Sequence, residues 1–377
     1  MPNKYIKQLL FMRNKLFFLS ILLLLNIQVL LGQAPFSRGV NLTEWFQTAN
    51  VSQLQFTKYT RQDFINIKSL GCDAIRLPIN MNYMTSGAPD YKFDPVFFAL
   101  LDSVISWSEN LKLYLLLDNH SFDPAVSSDG GVGPILIKVW AQMAAHCKDR
   151  SKYLMYEIYN EPHDIPTIDW GAIQQNVINA IRAEDIKHTI IVGGSNFNRY
   201  SELKNLPVFA DTNLLYTFHF YDPFLFTHQG AKWTGMSSVS GVPFPYNAAK
   251  MPSLQTSLNN NAWLDSLINN YKTDGTVAKV KMLIDEAVNF RKARNVKIFC
   301  GEWGVIIPNS DDNDRVYWYG IVRKYLDEKG IPWTIWDYKG GFGLMNANTA
   351  GVFDYDLNIP LLQALGLNIP LQKIKHP

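Results

Sequence analysis

Eight short β-rich runs, most of them followed by an amphipathic stretch, limit what this chain can fold into more than any other feature. They are residues 37–42 (SRGVNL), 73–79 (DAIRLPI), 112–118 (KLYLLLD), 153–160 (YLMYEIYN), 188–194 (HTIIVGG), 214–221 (LLYTFHFY), 296–303 (VKIFCGEW) and 332–338 (PWTIWDY). Residues 61–71, 95–110, 133–147, 171–185, 277–294 and 314–330 repeat apolar side chains at helical spacing, and Gly71 and Gly330 stand where helices stop. Near-continuous apolar strands alternating with helices call for a parallel sheet covered on both faces. Eight of them predict an α/β fold of the (β/α)8 TIM-barrel type, one domain over residues 33–377. An open doubly wound sheet is the alternative. It is disfavoured because residues 41–45 (NLTEW) follow the first strand where a Gly-rich phosphate turn would stand, and for the same reason no nucleotide cofactor is expected.

The first 32 residues have a different character. They hold Lys4, Lys7, Arg13 and Lys15, no acid, and a nearly apolar run over 16–31 ahead of Gly32 and Ala34. That order is the order of a secretory signal, and the run is short for a membrane span. Cleavage after Gly32 is favoured over cleavage after Ala34, which would leave Pro35 first. The mature protein is then exported, extracellular or periplasmic, with no stable membrane association. A retained anchor is the competing reading. Without the leader the formal charge of +2 becomes about −2, so nothing polybasic invites nucleic acid or anionic lipid. Cys72, Cys147 and Cys300 lie in three distant segments, which suits buried thiols and gives no zinc spacing. A monomer is expected.

Polar residues gather where the apolar runs finish: Arg76, Asp118-Asn119-His120, Asn160-Glu161, His219-Phe220-Tyr221, Gly301-Glu302-Trp303 and Trp336-Asp337. In a barrel all these ends open on one face, where barrel enzymes keep their active sites. Glu161 ends the fourth strand and Glu302 the seventh, so the two carboxylates face each other across the bowl. An acid and a second carboxylate flanking one bond is what glycosidic cleavage uses. The plainer reading of each is a surface acid capping the next helix. For Arg76 it is a neutralising partner of buried Glu157, and His146 and His188 are read as structural. No His-x-His follows the first strand and His-Glu-x-x-His is absent, so no catalytic metal is expected.

Asn160-Glu161-Pro162 on strand four with Glu302 on strand seven resembles the clan A glycoside hydrolases, and the fuller set resembles family 5, the retaining β-glycanases. Arg76, His120, Asn160, Glu161, His219, Tyr221, Glu302 and Trp336 stand on the strands that family would require, in its order. The resemblance implies a retaining double displacement, with Glu302 as nucleophile steadied by Arg76 and Tyr221, and Glu161 as general acid and then base. It further implies that Asn160 holds the sugar 2-hydroxyl, that His120 and His219 line the same subsite, and that Trp336 is the stacking floor.

Trp45 and Phe46 after strand one, Tyr83 after strand two and Trp303 beside Glu302 are taken as further sugar platforms. The long segment 222–264 is taken as a wall of the cleft. A β-1,4-glucan, cellulose or mixed-linkage β-glucan, is the expected substrate, with mannan, xyloglucan or β-1,3-glucan on the same machinery as alternatives. A catalytically silent secreted sugar-binding barrel is the non-enzyme alternative.

Overall fold

Every one of the eight runs becomes a strand in the computed structural model, which describes residues 33–121, 131–254 and 262–374. The strands are β1 (Arg38–Asn41), β2 (Ala74–Ile79), β3 (Tyr114–Asn119), β4 (Leu154–Glu157), β5 (Thr189–Gly193), β6 (Leu214–Phe220), β7 (Ile298–Trp303) and β8 (Trp333–Ile335). All neighbours are parallel, and β1 pairs with both β2 and β8, so the sheet closes into a barrel. This is the (β/α)8 architecture. The segment read as a secretory signal, residues 1–32, lies outside the described residues.

The amphipathic stretches form the outer ring. Helix Arg61–Ser69 starts on a Thr60/Asp63 capping box, Pro95–Leu111 on an Asp94 cap with proline in its first turn, and Asp312–Glu328 on an Asp311 cap. Val132–Cys147 and Val277–Arg294 match their predicted spans closely, while the helix expected at 171–185 begins at Thr167. Among the described residues four further helices were not foreseen: Ala262–Asp274 ahead of the 277–294 helix, Ile359–Leu365 after β8, and the single turns Phe224–Thr227 and Phe353–Asp356. Between β5 and β6 there is only a 3-10 turn, Tyr200–Asn205.

The barrel interior has two levels. Its floor is apolar: Ala74, Leu116, Met155, Ile191, Leu215 and Phe299 pack with Ala34 and Phe36, which reach in from the chain ahead of β1. Two residues further along the same strands the inward positions turn polar, with Arg76, Asp118, Glu157 and Thr217 all buried. Charge therefore begins one layer below the open end. The larger apolar cluster lies outside the sheet, between strands and helices.

Candidate active site

Arg76 on β2 is the centre of the polar layer. Its Nε and Nη2 form a fork with Glu157 Oε2 and Oε1 at 2.8 and 2.9 Å. Nη1 reaches Glu302 Oε1 at 2.6 Å and Asn41 Oδ1 at 2.9 Å, and Nη2 also reaches Asn160 Oδ1 at 2.8 Å and Asp118 Oδ2 at 3.0 Å. Burial works against its charge, but Asp118, Glu157 and Glu302 outweigh burial and raise its pKa well above the usual value. Both readings of Arg76 thus hold: it neutralises Glu157 and it holds Glu302. Asn41 keeps it in place by tying β1 to β7 and β8 through the carbonyls of Gly301 and Ile335.

Glu302 owes its direction to an irregularity in β7. Phe218 pairs with Cys300 and His219 with Glu302, which leaves Gly301 without a partner across the strand. Strict alternation would place Glu302 with Ile298 and Cys300, which pack outside the barrel, because Phe299 points to the floor. The extra residue turns the carboxylate inward, as bulges beside active sites do. Its second oxygen accepts a hydrogen bond from the Tyr221 hydroxyl at 2.9 Å. Burial, followed by the Glu302 charge, raises the Tyr221 pKa far above that of a free phenol, so it serves as a donor.

Glu161 lies just past the end of β4, with a quarter of its side chain exposed to the bowl. His219 Nδ1 stands 2.7 Å from its Oε1 and 3.6 Å from Glu302 Oε2. One oxygen of each carboxylate and a ring nitrogen of His219 lie within 4.8 Å of one another. Burial pushes Glu161 up to about 7, against the pull of His120, Arg76 and His163. Burial also drives His219 and His120 down to about 4, so both imidazoles are neutral near pH 7. His120 Nδ1 meets Asp118 Oδ2 at 2.6 Å, and its ring stacks on the half-buried Trp336, centroids 5.4 Å apart and 15° from parallel. Asp118, fully buried, is raised to about 7, by burial first.

Among the described residues, Glu161, His219 and Glu302 are also the group spaced to hold a metal ion. Their ligand atoms are already engaged with each other, with Arg76 and with Tyr221, and the guanidinium brings a fixed positive charge to Glu302. The set suits a hydrogen-bond network better than a cation cage.

Arg76, His120, Asn160, Glu161, His219, Tyr221, Glu302 and Trp336 therefore meet in one bowl. Three proposed platforms, Trp45, Phe46 and Trp303, do not. Trp45 is completely buried, its Nε1 donating to the Gln55 carbonyl and its ring packed on Phe46, Tyr59 and Trp107. Trp303 is equally buried, among Trp318, Tyr319 and Trp333 on the outer side of the barrel. Both are core residues, as is Phe46. Of the segment read as a cleft wall, residues 255–261 lie outside the described residues. Within the rest Phe244 is buried, while Trp233 is 69% exposed. Asp118, Asn41 and Thr217 had no assigned role in the sequence. Their signal was position alone, a polar residue at an inward place near a strand end.

The sequence profile described as "Cellulase (glycosyl hydrolase family 5)" matches residues 37–341. The chain belongs to glycosyl hydrolase family 5. This family 5 chain is 28% identical over 331 residues to endoglucanase 3 of Fibrobacter succinogenes, covering 82% of itself but only 50% of that protein. It is 28% identical over 321 residues to endoglucanase C of Acetivibrio thermocellus, 81% of itself and 91% of the relative. Among solved structures it is similar to endoglucanase Cel5A of Thermotoga maritima, with 25% identity, a TM-score of 0.72 and coverage of 90% and 97% of the two chains. It is thus a glycoside hydrolase by family, and it spans half the length of the Fibrobacter relative.

Proposed function

We propose that this family 5 enzyme is an exported, retaining endo-β-1,4-glucanase acting on cellulose or mixed-linkage β-glucan. The observation that carries the mechanism is the carboxylate pair, with one oxygen of Glu161 and one of Glu302 within 4.8 Å. That is a separation suited to direct attack and too short for a water between carboxylate and sugar. Glu302 attacks the anomeric carbon while Glu161 gives its proton to the departing glycosidic oxygen, leaving a glycosyl ester on Glu302. Glu161, now a carboxylate, takes a proton from the water that attacks the same carbon, which frees the sugar and returns both residues to their starting state. Arg76 and Tyr221 aim Glu302, Asn160 is placed to meet the 2-hydroxyl, and His120 on Trp336 lines the floor.

The relatives' names, endoglucanases in both cases, support the β-1,4-glucan assignment. The basic, apolar leader over residues 1–32 supports export. Among the described residues no helix is long and apolar enough to cross a membrane. The test is the release of new reducing ends from carboxymethylcellulose, barley β-glucan, glucomannan, xyloglucan, xylan and laminarin by the mature chain. Activity on the first two, retained anomeric configuration by NMR and loss in Glu302→Gln and Glu161→Gln are expected. Preference for mannan or xyloglucan would move the substrate, and sugar binding without hydrolysis would leave a binding barrel.

A further inference from the structure

Among the described residues, two buried polar atoms next to the acid/base pair find no partner: His219 Nε2 and Thr217 Oγ1. They belong to inward residues two apart on β6, and they converge on one place. A Cβ added to Gly301 would stand 2.5 Å from Thr217 Oγ1 and 3.5 Å from His219 Nε2. Gly301 is the unpaired residue of the β7 irregularity, so the same feature that turns Glu302 inward sets a residue without a side chain against these atoms and lets Thr217 Oγ1 come closer than any Cβ would allow. Unpartnered polar atoms at nearly complete burial are costly, and two of them close to one glycine are the setting in which a bridging water forms.

We propose that Thr217 is a positioning residue for the acid proton of Glu161. Its hydroxyl hydrogen, given to His219 Nε2 through one bridging water, holds His219 in the tautomer with its proton on Nδ1. This rests on the reading of Glu161 as general acid. Neutral imidazole has one proton and two nitrogens, and the partner of one nitrogen decides what the other does. With the proton on Nδ1, His219 donates to Glu161 Oε1, 2.7 Å away. The proton of Glu161 is then left on its other oxygen, free to meet a leaving group. With the proton on Nε2, Nδ1 becomes an acceptor and draws the Glu161 proton toward itself, away from the glycosidic oxygen. The groups facing His219 are Glu161 and Glu157 from β4, Glu302 from β7, Arg76 from β2 and His120 from β3. None of these has been found at Nε2, and Thr217 is the hydroxyl placed beside it.

The experiment uses the full mature enzyme with 15N-labelled histidine, the His219 signals being assigned by their absence in His219→Gln. In the wild type Nδ1 is expected to show the one-bond coupling to hydrogen and Nε2 none. A proton on Nε2 would overturn the proposal with no variant needed. Thr217→Val keeps the shape and removes the hydroxyl, and Thr217→Ser keeps the hydroxyl. Thr217→Val should flip the tautomer and lower kcat/KM on cellotetraose about tenfold, within the range for impaired acid catalysis, with Thr217→Ser near wild type. On an aryl cellobioside whose phenol leaves without a proton, the change should stay under about twofold. The basic limb of the pH profile should move upward, because an ionised Glu161 would face a lone pair in place of a donor. An unchanged tautomer and limb in Thr217→Val, or equal losses on both substrates, would refute it. Should the wild type hydrolyse neither substrate, the glycosidase reading fails while the nitrogen signals still decide the tautomer.

Discussion

At the scale of single residues, the two carboxylates differ because their surroundings differ. Glu302 is held by a guanidinium and a phenol, whereas Glu161 has an imidazole and the open bowl. Their substitutions should separate accordingly. Glu302→Gln should remove hydrolysis of polymer and aryl glycoside alike by at least about a thousandfold, since no covalent intermediate can form. Glu161→Gln should slow polymer cleavage by about 10²–10⁴-fold yet allow a burst of phenol from an activated aryl cellobioside, and Glu161→Ala should regain turnover with added azide. Steady-state and burst kinetics on the two substrate types check this.

The pH dependence follows from the same residues. Burial raises Glu161 from 4.5 to about 7 and Asp118 from 3.8 to about 7. A carboxyl raised in the folded state binds more protons there than when unfolded, so its contribution is fully present below pH 4 and lost as the pH rises through 7. Melting temperature should therefore fall between about pH 4.5 and 7.5 on account of these groups, with a shallower slope in Glu161→Gln. Catalysis by protonated Glu161 should decline over the upper part of that window.

At the scale of elements, the irregularity in β7 connects sequence to chemistry. Gly301→Ala would set a Cβ 2.5 Å from Thr217 Oγ1, so β7 or Thr217 must shift. The expected cost is about 1–3 kcal/mol of stability, with kcat down by at least about tenfold as Glu302 loses its aim. Thr217→Ala in the same chain should recover most of the melting temperature. Urea titration and kinetics on the single and double variants measure both.

The irregularity also marks where the sequence stopped being legible. All eight strands could be read because each is a nearly continuous apolar run, a local property. The irregularity itself could not: Glu302 was assigned to the bowl because it ends its strand, yet period-two alternation sends it outward, and only pairing with β6 reveals the extra residue that turns it in. Trp303, its neighbour, was misread for the same reason: the extra residue turns it to the outer face, where aromatic residues from the helix Asp312–Glu328 enclose it. Trp45 looked like a platform because a tryptophan after a strand gives no local sign of the residues that will cover it. The helix Ala262–Asp274 escaped notice because it buries little, chiefly Leu264 and Tyr271. Convergence of the eight bowl residues was legible because strand ends fix direction in any closed barrel.

At the scale of the whole molecule, the barrel separates stability from chemistry along its axis. Charge occupies the upper layers, where one guanidinium meets three carboxylates, and the lowest layer is purely apolar. Phe36 closes that floor, its ring edge-on to Phe299 with centroids 5.3 Å apart, and it is 4% exposed. It comes from the chain ahead of β1, beside Gln33, which bridges to Ile298. The start of the described chain, from Gln33 on, is thus a structural part of the barrel. Phe36→Ala should cost about 3–5 kcal/mol by opening a cavity under the floor. Because the floor lies at the opposite end from Glu161 and Glu302, kcat/KM measured well below the melting temperature should stay within about twofold of wild type. Denaturant titration together with initial rates decides the matter: a loss of kcat/KM as large as the loss of stability would mean that floor and bowl are coupled through the Arg76 layer between them.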